Sequence, residues 1–269
     1  MFDFHSKLNF YKNELAHILT NEHGKTLPDA KGEVQRGIEV VEHACSIASH
    51  GMGESLQNVS KGIDTYSFRT PLGPVAAITP FNFPCMIPLW MIPIAITTGN
   101  TLVLKPSERN PGCSMLIAKM LKEINLPEGV VNIVHGGFDV VKQICEKNEI
   151  RAVSFVGGNM AGEYIHEHAS KNGKRTQINM GAKNHAIVMP DADKEDALNA
   201  LVGAAFGATG QRCMAISVAV MVGETREWVS ELVDKSKKLK VGAGWIDGTD
   251  VSPLAYKEVS EKIIKKLSL

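Results

Sequence analysis

Nine residues, Phe206-Gly-Ala-Thr-Gly-Gln-Arg-Cys213-Met214, place a lone cysteine straight after a glycine-rich turn and an arginine. The thiolate is the species that attacks, and a neighbouring cation with turn amides favours it over the thiol. Cys213 is therefore a candidate nucleophile. A small, inert hydrophobe is the alternative reading of a cysteine that follows a helix. The other cysteines, Cys45, Cys85, Cys113 and Cys145, form no Cys-x-x-Cys pair with it or with each other. Neither a zinc site nor a thioredoxin-type redox pair is expected.

A second constellation is Pro80-Phe-Asn82-Phe-Pro84, which follows the strand-like run Val75 to Thr79 and precedes the apolar stretch Met86 to Thr98. Proline fixes φ and restrains the residue before it, so the Asn82 amide sits in a rigid strand-to-helix turn from which it can donate to a developing oxyanion. An ordinary Asx turn would use the same residues. Lys105-Pro-Ser-Glu108 closes another strand-like segment, at the kind of strand end where open sheets bind ligands. Its plainer reading is a solvated ion pair. Gly157-Gly158-Asn-Met-Ala-Gly162 lies between a strand and a helix, which suits a phosphate at a helix amino terminus. It lacks the G-x-G-x-x-G fingerprint, and simple chain reversal uses the same glycines.

These residues need a scaffold, and the hydrophobic pattern supplies one. Helical patterns at Ser6 to Thr20 and Ala30 to Ser49 precede β-like segments at Asp64 to Thr70 and Val75 to Thr79. Strand-like Thr101 to Lys105, Val130 to Val134, Ala152 to Val156, His185 to Met189 and Ile216 to Val222 then follow. They are separated by helical stretches near Ser114 to Glu123, Asp139 to Lys147, Gly162 to Ser170 and Lys194 to Phe206. Such alternation predicts an α/β fold with a doubly wound, mostly parallel sheet.

Basic and acidic residues number 29 each, which indicates no nucleic-acid surface. The Met86 to Thr98 stretch contains two prolines and is shorter than the roughly 20 residues of a membrane span, so it reads as a core helix. The beginning, Met1-Phe-Asp-Phe-His-Ser-Lys, has neither signal-peptide nor transit-peptide character, and reduced thiols are expected.

Phe81-Asn82-Phe83-Pro84, Lys105-Pro-Ser-Glu108, Phe155-Val-Gly-Gly158, Asn179-Met-Gly-Ala-Lys-Asn184 and Gly210-Gln-Arg-Cys213, in this order and at these separations, resemble the aldehyde dehydrogenase superfamily. Within it, Lys31-Gly-Glu-Val-Gln-Arg36-Gly37, Asn179 to His185 and Gly210 to Met214 are similar to the CoA-acylating methylmalonate-semialdehyde dehydrogenases. The resemblance implies a variant Rossmann domain for NAD at 1–180, with 52–70 as part of an oligomerisation hairpin, and a partial second α/β catalytic domain at 181–269. Subunits of that family are about twice as long, so the chain reads as an internal stretch of one.

By the same resemblance Ile78, Thr79, Pro80, Phe81, Gly157 and Gly158 line the cofactor path, and Lys105 and Glu108 meet the adenine ribose. Cys213 is the nucleophile and Asn82 serves the oxyanion. Arg36 and Arg212 grip the carboxylate of a semialdehyde substrate, as guanidinium forks do. Taken alone, Arg36 reads as a helix-surface charge and Arg212 as a neighbour that favours the thiolate. Asn179 stands where hydrolytic members carry a water-activating glutamate, and an amide cannot be a general base. CoA, whose thiol pKa is about 8.5 against about 15.7 for water, needs that base far less, by roughly 10 kcal/mol of deprotonation. A homo-oligomer, or a mixed oligomer with full-length subunits, and a mitochondrial location are implied as well. A hydrolytic enzyme and an inactive NAD-binding subunit remain alternatives.

Overall fold

The computed structural model describes residues 1–267. In chain order the helices and strands begin with α1 (Phe2–Phe10), α2 (Lys12–His23), α3 (Leu27–Ala44), α4 (Ile47–His50), β1 (Ser55–Ser60), β2 (Ile63–Tyr66), β3 (Pro74–Ile78), α5 (Met86–Thr97), β4 (Thr101–Lys105) and α6 (Gly112–Glu123). They continue with β5 (Val131–Ile133), α7 (Phe138–Glu146), β6 (Ala152–Val156), α8 (Asn159–Lys171), β7 (Arg175–Asn179), β8 (Asn184–Val188), α9 (Lys194–Phe206), β9 (Ile216–Met221), α10 (Val229–Lys237) and α11 (Lys257–Leu267).

Two units result: Met1–Asn13 with Glu33–Asn179, and Glu14–Gly32 with Met180–Leu269. The sequence reading assigned 14–32 to the first domain. In the structure this stretch packs with the later residues, the Leu27 N–H donating to the Gly244 carbonyl at 3.0 Å. A Cβ on Gly244 would lie 2.3 Å from the Lys25 carbonyl oxygen, so glycine permits the close approach.

The first unit is built on a five-stranded parallel sheet of order β5-β4-β3-β6-β7. Parallel strands covered on both faces read as near-continuous apolar runs. Leu102 and Leu104 on β4, and Val153 and Phe155 on β6, are correspondingly buried. One core gathers Ala76, Ile78, Val153 and Phe155 against Ile144 and Ile165 from α7 and α8. A second joins Phe83, Met86, Ile87 and Val156. Helix α5 is the apolar stretch Met86 to Thr98, and no helix among the described residues is long and apolar enough to cross a membrane. The expected single helix from Ser6 to Thr20 is two helices, because the chain turns at Tyr11, whose hydroxyl donates to Glu123 at 3.0 Å. Antiparallel β1 and β2 form a hairpin exposed throughout.

The second unit holds two parallel strands, β8 and β9, connected through α9. Asp193 caps α9 by accepting from the Asp196 N–H at 2.9 Å, which satisfies one of the free donors of the first turn. Leu201 and Phe206 of α9, Val218 of β9, and Leu232 and Val233 of α10 border an apolar groove of about 510 Å³.

Candidate active site

In the first unit the strand order reverses between β3 and β6, and open parallel sheets bind ligands outside the carboxyl ends of strands at such a reversal. β3 runs into Ile78-Thr79-Pro80-Phe81 and β6 into Gly157-Gly158, with Ile78 paired to Phe155. The residues expected to line a dinucleotide path therefore meet at one point of the topology. Thr79 is buried, and its Oγ1 has no hydrogen-bond partner among the described residues, which leaves polar capacity at that spot. A Cβ on Gly157 would lie 2.4 Å from Cζ of Phe155, so a larger residue would have to displace that buried ring. Gly158 then caps α8, whose first N–H groups favour an anion. The orphan hydroxyl, the open glycine turn and the strand reversal together fit a dinucleotide.

One strand over, Lys105 is 5% exposed. Its Nζ donates to Glu108 Oε2 at 2.8 Å and to the Pro106 carbonyl at 3.0 Å. This is a half-sheltered pair, unlike the fully solvated one that the sequence left open. Partial burial works to raise the Glu108 pKa, but the Lys105 hydrogen bond, the residue's own backbone and the charges of Lys105 and Arg109 outweigh it and leave the carboxyl below its usual range.

Asn82 is half-buried in the turn between β3 and α5. That turn is gripped from both sides. Before it, the buried Asn110 donates from Nδ2 to the Phe81 carbonyl at 2.6 Å. After it, the fully buried Glu33 carboxylate accepts from the N–H groups of Cys85 and Met86 at 3.0 and 3.1 Å. Helix α5 has no side-chain cap of its own, so Glu33 satisfies donors that would otherwise be orphaned and sets a negative charge at the positive helix end. Neither residue was singled out from the sequence, since a bond spanning 52 residues leaves no local pattern. Asn179 ends β7 with its carbonyl accepting from the Gly157 N–H at 3.0 Å, so it also fixes the glycine turn. Arg36 lies on the exposed face of α3.

In the second unit Cys213 is half-buried after the 3-10 turn Gly207–Gly210. Arg212 donates from Nη2 to the Gly203 and Ala204 carbonyls at 2.5 and 3.1 Å, closing the carboxyl end of α9 with a cation that suits the helix dipole. A Cβ on Gly207 would lie 2.5 Å from that Nη2, so glycine makes room for the guanidinium. Asn184 donates from Nδ2 to the Cys213 carbonyl at 2.7 Å and to the Ala215 carbonyl at 3.1 Å. By contrast Cys85, Cys113 and Cys145 are buried, and burial pushes the Cys145 thiol up against the opposing charge of Lys174. No group of three or more His, Cys, Asp or Glu among the described residues could hold a metal ion.

The aldehyde dehydrogenase family model matches residues 1–268. A Mus musculus protein named methylmalonate-semialdehyde/malonate-semialdehyde dehydrogenase, acylating, mitochondrial, is 56% identical over 250 residues, covering 93% of this chain and 47% of that protein. The structure of a methylmalonate-semialdehyde dehydrogenase from Oceanimonas doudoroffii superposes with a TM-score of 0.96 at 49% identity, over 100% of this chain and 55% of that one. A Sinorhizobium meliloti structure named for the same enzyme, complexed with NAD, gives a TM-score of 0.94 at 45% identity, over 99% and 55% of the two chains. The chain spans about half the length of the curated relatives it matches. With the strand reversal, the paired glycines and the cysteine turn all in place, the chain belongs to the aldehyde dehydrogenase family.

Proposed function

We propose that this chain serves the NAD-dependent oxidation of methylmalonate and malonate semialdehyde to propionyl-CoA and acetyl-CoA. The observation that carries the reading is the meeting of Ile78 to Phe81 with Gly157 and Gly158 at the strand reversal, in a chain whose second unit presents a half-buried thiol. The relatives' names supply the substrate class.

The Cys213 thiolate adds to the aldehyde carbon, and the carbonyl oxygen becomes an oxyanion. The Asn82 amide and the Cys213 backbone N–H are assigned to that charge. Bound NAD supplies the hydride acceptor. Ile78, Thr79, Pro80, Phe81, Gly157 and Gly158 would hold the dinucleotide, and Lys105 and Glu108 would meet its adenine ribose. Loss of hydride leaves an acyl group in thioester linkage to Cys213. The acyl group bound to Cys213 loses its carboxylate as carbon dioxide, with a proton taken up at the carbon it leaves. The thiolate of CoA attacks the thioester carbonyl and Cys213 leaves as thiolate.

Arg36 and Arg212 are assigned to the carboxylate before that loss. Asn179 offers no base for water, which supports thiolysis over hydrolysis. Exposed Leu56, Val59, Ile63, Tyr66 and Phe68 on and beside the β1–β2 hairpin support its use in joining subunits. The mitochondrial names of relatives support that location.

The bare apolar groove of the second unit favours one other reading, an NAD-binding subunit without turnover. NADH absorbance with malonate semialdehyde and NAD, with and without CoA, separates the two. Turnover is expected to require CoA and to vanish in Cys213→Ala. NAD binding without NADH formation establishes the non-catalytic reading, and CoA-independent release of free acid establishes a hydrolytic enzyme.

A further inference from the structure

The turn that presents Cys213 is conformationally costly. Ala208, Thr209 and Gly210 have φ of 49°, 57° and 69°, three consecutive left-handed residues. That region opposes the Cβ of an L-residue, and a β-branched one most of all. Such a backbone persists only where its surroundings over-determine it. Here the Thr209 hydroxyl donates to the Ser252 carbonyl at 2.6 Å, and the Ala208 N–H donates to Asp29 Oδ2 at 3.3 Å.

On the other side of the thiol, a register shift in the β8–β9 ladder pairs Asn184 with Ile216 but the next residue, His185, with Val218. Irregularities of this kind re-aim a side chain. The Asn184 amide reaches back along β9's approach and gathers the carbonyls of Cys213 and Ala215. Tying the Cys213 carbonyl fixes the peptide plane that follows it, and with that plane the direction in which Cα presents the thiol.

We propose that Asn184 and Thr209 are positioning residues for Cys213, clamping its turn from both sides so that the half-buried sulfur keeps one orientation. The inference rests on Cys213 being the nucleophile. Released from the clamp, the thiol is more open to a small reagent and less well aimed at an aldehyde. The first effect is read against a cysteine of the other unit, so a loss of overall stability, which opens every thiol, would not reproduce it.

The test alkylates the full chain with iodoacetamide and follows each cysteine by peptide mass spectrometry, with half-buried Cys45 of the other unit as the internal reference. Asn184→Asp keeps the shape but has no N–H to donate, Thr209→Ala loses the hydroxyl, and Thr209→Ser restores it. Asn184→Asp and Thr209→Ala are expected to raise the Cys213 to Cys45 rate ratio by about threefold, with Thr209→Ser at the wild-type ratio. In turnover, the same two variants are expected to lower kcat about tenfold with KM for the semialdehyde unchanged. An unchanged ratio in both variants, or a Thr209→Ser variant behaving like Thr209→Ala, overturns the proposal. A variant whose second unit opens is recognised by lost hydrogen-exchange protection across α9 and β9, and should Asn184→Asp show that loss, the two Thr209 variants decide. A wild-type chain that forms no NADH sinks the dehydrogenase reading alone, since alkylation needs no turnover.

Discussion

The five-stranded sheet of the first unit and the two-stranded sheet of the second follow the same strand–helix–strand logic, yet they hold their functional residues by different means. In β4 of the first, Leu102 and Leu104 are buried to 2% and 0% exposure, and the residues proposed to hold the cofactor follow strand ends rooted in that core. In β8 of the second, Ile187 is 67% exposed and only Val188 is buried. Cys213 is therefore not held by depth in a sheet. It is held by polar ties from Asn184, Arg212 and Thr209 to backbone carbonyls. A binding crevice can draw its rigidity from apolar burial, whereas a strained turn beside a thin sheet needs hydrogen bonds to specific atoms.

The largest effect that sharpens this contrast belongs to Leu104→Ala. A fully buried leucine at the centre of a packed sheet loses about 2–5 kcal/mol on truncation, from lost transfer energy and the cavity left behind. Denaturant-dependent hydrogen exchange, read peptide by peptide, is expected to show that loss across β3, β4 and β6. A cost below about 1 kcal/mol would mean that the first sheet is no better rooted than the second.

A smaller effect separates the units by pH. His23 of the second unit is buried, and burial first, with the Lys25 charge second, lowers its pKa to about 3. The unfolded chain protonates this imidazole near 6.5, while the folded chain keeps it neutral. Its contribution is thus fully present above about pH 6.5 and is lost as pH falls from there toward 3, at up to about 1.4 kcal/mol per unit. Between pH 7 and pH 5 the second unit should lose about 2 kcal/mol through this group. His23→Gln is expected to flatten that slope in urea melts of the second unit, and an unaltered slope would show that His23 is not the group responsible.

What the sequence disclosed follows the same division. Thr101 to Lys105 and Ala152 to Val156 were read at their true bounds because doubly covered strands are apolar along their whole length. β7, Arg-Thr-Gln-Ile-Asn, was not predicted as a strand. It is polar and sits at the sheet edge, where the ladder to β6 rather than side-chain burial makes it extended. Helix α3 begins at Leu27, three residues before the expected Ala30, and its signal was readable: Thr26 Oγ1 accepts from the Asp29 N–H at 3.3 Å. Of the candidate site, Cys213, Asn82 and Gly157 could be named as candidates because their chemistry is local. Glu33, Asn110 and Asn184 could not, because each acts on backbone atoms 29 or more residues away.

The smallest expected effect tests the exposed half of the comparison. Ile187→Ala removes apolar surface that already faces solvent, so the folded chain loses little packing and the cost should stay within about 0.5 kcal/mol. Measured by the same exchange method, this places a truncation on β8 far below the one on β4. A cost above about 1.5 kcal/mol would mean that Ile187 is covered in solution, since only a buried isoleucine loses that much. If the excess cost also disappears on dilution, the cover is another molecule, because a cover formed within one chain does not depend on concentration. Either result would move the second sheet from thin to buried, and the polar ties around Cys213 would then supplement a core instead of replacing one.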